Sequence, residues 1–543
     1  MSSAVSSGGS RRIEQLSPSL REACERWPER PAVSHRGRTL TYAALWERIL
    51  ALSWSYHALG IRPGDRVLCQ LPLSSEHLIA IGAAWACGAI HVGAHRDLTG
   101  PELSALVART GATALVFAAP EDAPDRLAAL RTVRAQHPPL TAILHGSTGE
   151  DGEHSLPELL AGAPPEPWPP VPSGPDDAAL LLLSSGTTGR PKLVVETLPA
   201  LWGKLALFAE GLAPTPVDVH LIYLPINHVF GLKLTLMALA SGGRVVLLDR
   251  FAPRAALRLA SEERVTFLPA TPTHLTLLLR ALEEEPDALA TVRAIAFAAA
   301  PRPPALIEQL YDRLDAKLMH VYGCSEGFVT LTTDADEIRR CAVGRTVFRG
   351  PPGGPPTGSV AILDPDGPDF LPPGAVGEIA FGTSSPVRYW DQPAAGTDGW
   401  YRTGDLGWLD RDRCLTVSGR LKDVVNRGGL KVACPEVEAA LAGAPGIREC
   451  AVIPTPDPIL GESICACVIP AGDRAPLLAE IRSALADRLA RHKLPDELCV
   501  LDSLPRSPLG KLDRAALAAR VLAAHLPRER VRPRPQPITT EGQ

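Results

Sequence analysis

Ser184-Ser-Gly-Thr-Thr-Gly-Arg-Pro-Lys192 lies between two apolar runs, Ala178-Ala-Leu-Leu-Leu-Leu183 and Leu193-Val-Val195. Runs of that length and composition predict short buried strands, so the stretch reads as a glycine-rich loop joining them. Gly186 and Gly189 are free to take positive φ, the hydroxyls of Ser184, Ser185, Thr187 and Thr188 are donors, and Lys192 adds a cation. Such a loop suits a polyphosphate. It departs from the usual P-loop, in which Gly-Lys-Ser/Thr opens a helix aimed at the phosphate, because Pro191 and a β-branched run follow here. Taken alone, an ordinary Ser/Gly hairpin turn explains it equally well.

Outward from the loop, strand and helix patterns alternate. On the N-terminal side, Pro18 to Trp27 has helical periodicity, Pro31 to Ser34 and Arg38 to Tyr42 form a hairpin pattern, and Ala43 to Leu59 is helical. Arg66 to Leu71, Glu76 to Ala86 and Ala114 to Phe117 continue as strand, helix and strand. The Pro-rich run Pro164 to Pro175 reads as an exposed connection. On the C-terminal side, Val219 to Leu224 is a strand pattern ending in Pro225-Ile-Asn-His228, and Val229 to Leu239 is an apolar helix. Lys317 to Val321 is another strand, running into Tyr322-Gly-Cys-Ser-Glu326. This alternation predicts α/β architecture with doubly wound parallel sheets, whose ligands sit beyond the carboxyl ends of the strands. His228 would stand there, though by itself it reads as a hydrogen-bonded core residue. Tyr322 offers a face for a purine, Gly323 a close backbone approach, Ser325 a donor for phosphate and Glu326 a carboxylate for Mg²⁺.

From Gly344 the composition turns to glycine, proline and short alternating strands, a pattern expected of a small distorted β-barrel closing the large domain. Tyr401-Arg-Thr-Gly-Asp405 reads as a turn whose carboxylate could accept both hydroxyls of a ribose. Gly419 to Val432 reads by composition as a charged linker, and a compact α+β unit follows. Near the end comes Leu504-Pro-Arg-Ser-Pro-Leu-Gly-Lys511, then a Pro/Arg tail expected to be unstructured.

Motif by motif, and in the same order from about Leu20 to about Val521, the chain resembles the adenylate-forming superfamily, which includes AMP-dependent acyl-CoA synthetases, peptide-synthetase adenylation domains and luciferases. The resemblance implies an N-terminal AMP-binding domain over residues 1–419, of which 1–15 would be disordered, and a small mobile C-terminal domain over 420–523 with a hinge near Lys422. Residues 524–543 would be a disordered tail. It implies ATP or AMP contacts at Ser184, Ser185, Gly186, Thr187, Thr188, Gly189, Lys192, Ala299, Ala300, Tyr322, Gly323, Ser325, Asp405 and Arg420. Catalytic roles would fall to Lys511, Glu326 and His228, with Glu326 also the metal ligand. His228, Val229, Phe230, Ala298 and Gly323 would line an acyl pocket, and Gly428 and Gly429 the path of the thiol. One departure stands out: Phe297-Ala-Ala-Ala-Pro301 has alanine where the family usually has glycine, which narrows the adenine edge or the pocket.

The implied reaction joins a carboxylate to the α-phosphate of ATP, releases pyrophosphate and hands the acyl group to coenzyme A, with a carrier protein's phosphopantetheine as the alternative acceptor. Amino-acid-activating members of the family commonly place an aspartate near the His228 region to hold the ammonium, and Leu221 to Leu236 contains no acidic residue, so the resemblance argues against amino acids. Val229, Phe230, Leu232 and the Thr271 to Leu279 helix point to a hydrophobic acid, aliphatic, cyclic or aromatic. ATP, Mg²⁺ and coenzyme A are the expected cofactors, and the resemblance leaves room for a homodimer. A non-catalytic nucleotide-binding protein is disfavoured by retention of the charged motif residues, and a P-loop kinase or ATPase by the missing Walker motif.

Composition agrees. At 543 residues more than one domain is expected, and 55 Lys and Arg against 60 Asp and Glu give a net charge of −5, with no pull toward nucleic acid. The 11 scattered cysteines include no Cys-x-x-Cys pair, which fits a reduced, cytoplasmic protein. Leu78 to Ala94 is read as buried helix and strand, not a membrane span.

Overall fold

The computed structural model describes residues 19–96, 98–119, 124–146, 152–162, 170–171, 174–184, 192–298, 304–327, 329–340, 343–346, 359–383, 386–427, 430–457, 460–472, 474–486, 488–489, 491–506, 512–523 and 528–530. These fall into two compact units. The first lies within 1–360, 381–401 and 412–415, the second within 361–380, 402–411 and 416–543.

The first unit contains two large sheets. In the nine-stranded sheet the strands run in the order Arg345–Thr346, Val329–Thr332, Lys317–Gly323, Ala294–Phe297, Phe267–Ala270, Val219–Ile222, Arg244–Leu247, Pro31–His35 and Arg38–Thr41. Every pairing from Lys317–Gly323 across to Pro31–His35 is parallel, so these strands end at one edge. The seven-stranded sheet, in the order Glu153–Ser155, Thr141–Gly146, Ala114–Ala119, Arg66–Gln70, Ile90–Gly93, Ala178–Ser184 and Lys192–Thr197, is parallel except for its last pair. Burial follows from composition. Strands such as Ala294–Phe297 and Phe267–Ala270 are buried throughout, as strands covered on both faces must be. The apolar stretch from Leu78 to Ala94 is helix Ser75–Ala86 followed by strand Ile90–Gly93, almost wholly buried, as expected. Among the described residues no helix is long and apolar enough to cross a membrane.

The region expected to close as a small barrel is a four-stranded sheet, ordered Val360–Leu363, Gly377–Gly382, Trp400–Leu409 and Leu415–Arg420, and no closure is needed. In the second unit, Ile447–Asp457, Gly461–Pro470 and Glu497–Val500 pair in a sheet packed on helices Cys434–Leu441, Leu478–Leu485 and Arg514–Ala523.

Two expectations need correction here. The stretch read as a charged linker is ordered: Val424–Arg427 and Leu430–Ala433 pair antiparallel, and Val425 and Val432 are fully buried. Charge at alternate positions hid a strand with one apolar face. The tail read as unstructured includes strand Arg528–Arg530, paired with Glu497–Val500. Its cause is Glu497, 2% exposed, which accepts from Arg528 at 3.0 Å and Arg530 at 2.7 Å. A buried carboxylate needs such partners.

Candidate active site

The antiparallel pair Ala178–Ser184 and Lys192–Thr197 brings Ser184 opposite Lys192, so the loop between them leaves from the edge of the seven-stranded sheet. Ser185, Gly186, Thr187, Thr188 and Gly189 themselves lie outside the described residues, as do Ala299, Ala300, Gly428, Gly429 and Lys511.

Lys192 and Glu326 are joined through a residue that sequence reasoning passed over. The Lys192 ammonium sits 5.0 Å from the ring centroid of Tyr389, within cation–π range. The Tyr389 hydroxyl donates to Glu326 Oε1 at 3.4 Å and shares a 3.3 Å hydrogen bond with the Tyr401 hydroxyl. Tyr389 is held there by backbone: it bridges Val194, and the flanking amides of Val195 and Trp390 bond Arg388 and Leu193 carbonyls. Burial pushes the Tyr389 hydroxyl up to about 12, so it remains a donor at neutral pH. No local pattern could have found it, because its place depends on pairing across almost two hundred residues.

Tyr322, next to last in the strand Lys317–Gly323, stacks its ring on Phe381 with centroids 6.1 Å apart. Gly323 is exposed, Ser325 is buried and Glu326 is half-buried. Behind this turn lies an unforeseen ion pair. Lys204 donates to both oxygens of Glu196, at 2.6 and 2.8 Å, and Glu196 is only 3% exposed. The pair abuts Gly327, where φ is +105° and an added Cβ would come 2.4 Å from Lys204 Nζ. Exchanging Glu196 for Gln strands two cations, Lys204 and the nearby Lys233. We expect a loss of about 3 to 5 kcal/mol in urea unfolding, as breaking a buried pair from one side does; a loss below about 1 kcal/mol would show the pair is not needed to hold the turn.

His228 caps the helix Val229–Ala240, its Nδ1 accepting from Phe230 N at 3.4 Å. Val229 and Phe230 are buried, as is Ala298 at the end of Ala294–Phe297. All three strand ends, from Val219–Ile222, Ala294–Phe297 and Lys317–Gly323, belong to the parallel block, which places His228, Ala298 and Gly323 at a common edge. The helix expected to wall this edge is Pro272–Ala281. Its His274 accepts from Thr271 N, packs on Phe251 and Tyr223, and is lowered by burial to about 4. The wall is not wholly apolar, however. Lys233 lies inside Val229–Ala240, 2% exposed.

In the second unit, Asp405 and Arg420 are together: Arg420 Nε bonds Asp405 Oδ1 at 3.0 Å. Asp405 was expected in a turn and is instead within the strand Trp400–Leu409. The turn signal marks a local kink. Gly404 takes φ +71°, its amide donates to Glu378 at 3.0 Å, and Asp405 N donates to Thr403 Oγ1 at 3.1 Å. Lys422 lies in the short 3₁₀ turn Leu421–Asp423, between strands Leu415–Arg420 and Val424–Arg427. Lys511 is bracketed by pinned chain: Arg506 bridges Leu512, Asp513 N donates to Pro505 O at 2.9 Å, and Arg514 pairs with Glu438 at 2.6 Å.

The first unit offers cations and donors at a sheet edge beside buried apolar side chains, and the second unit holds a carboxylate–guanidinium pair. Comparison with known proteins agrees. The AMP-binding enzyme family matches residues 20–388, and the AMP-binding enzyme C-terminal domain matches residues 436–511. The chain is 33% identical to the 2-hydroxy-7-methoxy-5-methyl-1-naphthoate–CoA ligase of Streptomyces carzinostaticus, over 93% of this chain and 92% of that one. It is 32% identical to the salicyl-AMP ligase/salicyl-S-ArCP synthetase of Mycobacterium tuberculosis, over 92% of this chain and 89% of that one. Among solved structures it is similar to ATP-bound MatB from Rhodopseudomonas palustris, with a TM-score of 0.81 and 26% identity, covering 93% of this chain and 99% of the other. The chain therefore belongs to the AMP-binding enzyme family, and is an adenylate-forming enzyme.

Proposed function

We propose that the protein activates a carboxylic acid with ATP, forming an acyl-adenylate and pyrophosphate, and then transfers the acyl group to the thiol of coenzyme A. The observation that carries this reading is the link from Lys192 through Tyr389 to Glu326. It sets a cation, a neutral donor and a carboxylate at the mouth of a loop suited to polyphosphate. Both reactants are anions, so the barrier falls chiefly through charge and donors fixed in advance and through alignment. No protein nucleophile is required.

In this reading the loop from Ser184 to Lys192 receives the departing pyrophosphate and Tyr322 and Gly323 border the base, with Ala299 and Ala300 beside it. Ser325 donates to phosphate. Asp405 accepts the ribose hydroxyls, Arg420 steadies ribose or phosphate, and Lys511 bridges the acid's carboxylate and the α-phosphate. His228, Val229, Phe230, Ala298 and Gly323 hold the acyl part. Glu326 suits a hard cation: it is half-buried, and its hydrogen bond from Tyr389 is long, leaving lone pairs for coordination. Mg²⁺ held there would supply positive charge to the departing pyrophosphate. Rotation of a C-terminal domain about Lys422 then withdraws Lys511 and opens the Gly428–Gly429 path to the thiol. The ten described cysteines are all free thiols, which accords with a reducing cytoplasm as the place of action.

Loading of a carrier protein is the second reading, favoured by the S-ArCP synthetase among the relatives. Incubating the enzyme with ATP and a panel of aromatic and aliphatic acids, then with either coenzyme A or a phosphopantetheinylated carrier, separates the two. Acyl-CoA formation at least tenfold faster than carrier loading is expected, and the reverse order would replace the first reading by the second.

A further inference from the structure

Lys233 has no counterpart in the chemistry described so far. It lies on the helix Val229–Ala240, every residue of which is buried, and is 2% exposed itself. Among the described residues its ammonium makes no hydrogen bond or ion pair. The ionisable groups that act on it are Glu196 and Lys204, from strand Lys192–Thr197 and helix Leu198–Leu212, and Cys324 in the strand-end turn. Glu196 is already committed on both oxygens to Lys204. One carboxylate thus serves two lysines, and the surplus cation is Lys233.

Isolated charges are not kept in apolar surroundings without a use, since their burial costs several kcal/mol. Burial first, and the Lys204 cation second, lower Lys233 from 10.5 to about 7, so near neutrality it sits on the border between ammonium and amine. An anion arriving beside it would fix the charged form. Cys324 lies between Gly323 and Ser325, so one of the groups acting on Lys233 belongs to the strand-end turn that is read to border the acid. Lys233 follows Val229 and Phe230 by four and three residues, which puts it on their face of the helix, about one turn farther from His228. One helical turn is of the order of the span of one aromatic ring.

We propose that Lys233 determines substrate specificity by binding a second oxygen function at the far end of the acid, a ring hydroxyl or phenolate or a second carboxylate. This rests on the acid-activating reading above and narrows the hydrophobic acid expected from the sequence to one with a polar end.

The test compares Lys233→Met with the wild type, using acid-dependent AMP formation from ATP and matched probes: benzoate, 3-hydroxybenzoate, 4-hydroxybenzoate, isophthalate and terephthalate. Met keeps the length of the side chain and removes the charge. In the wild type at least one oxygen-bearing acid is expected to exceed benzoate in kcat/KM. In the variant that ratio should fall about 10- to 100-fold, the worth of a charged hydrogen bond. The wild-type preference should also weaken as pH rises through about 7, whereas the variant should show no such change.

Folding is checked independently. Between about pH 7 and 10.5 the unfolded wild type holds a proton at Lys233 that the folded protein does not, so wild-type stability rises with pH in that window and the variant lacks this contribution. Equal loss on all acids, with the ratio unchanged within twofold, overturns the role of Lys233 and leaves acid activation standing. Failure of every acid to yield AMP with the wild type, while ATP still raises its melting temperature, counts against acid activation and the inference together.

Discussion

Lys511→Ala is expected to lose ATP–pyrophosphate exchange by a factor on the order of 10² to 10³, the effect of removing one prearranged donor from a developing anionic centre. The loss should fall on one half of the reaction. Supplied with a ready-made acyl-adenylate, the variant should still pass the acyl group to coenzyme A, because the second step needs no cation between carboxylate and phosphate. A side chain that merely supported the fold would depress both steps. The described residues on either side of Lys511 are tied by the Arg506–Leu512 bridge and by Arg514 on Glu438, and the substitution leaves both ties in place. Loss of both steps, with an unchanged melting temperature, would remove Lys511 from the role given to it.

Lys422→Pro is expected to do the reverse. Lys422 occupies the 3₁₀ turn Leu421–Asp423, where a proline fixes φ near −65° and deletes an amide donor. If turning about this position separates the two half reactions, pyrophosphate exchange should stay within about threefold of the wild type while thioester formation falls by about 100-fold or more. The pair of variants thus forms a double dissociation. Equal reductions in both half reactions of Lys422→Pro would contradict a rotating domain.

How much of this could be read from residues alone depends on whether the relevant contact is local. The strand Lys317–Gly323 and the helices Tyr42–Ala58 and Pro272–Ala281 fall within a few residues of their apolar patterns, because burial on one or both faces is written into composition and period. The Ser184–Lys192 pairing was legible for the same reason. Asp405 was harder, since Thr403 and Gly404 carry a true turn signal that the flanking strand pairing overrides without erasing. Tyr389 was illegible: it owes its place beside Glu326 to a bridge with Val194. Lys233 was in plain view but was outvoted by its apolar neighbours, where a single charge in a buried helix is the more informative residue. Glu196 and Lys204 reach one another across a strand-to-helix junction, a geometry that has no fixed spacing in sequence.

The central claim is that the enzyme cleaves ATP between its α and β phosphorus atoms when an acid is present. It is tested most directly by following ATP labelled at the α phosphorus during turnover with an activated acid and coenzyme A. Labelled AMP and an equal quantity of pyrophosphate are expected, formed only when acid is added. Labelled ADP with inorganic phosphate as the co-product would contradict it.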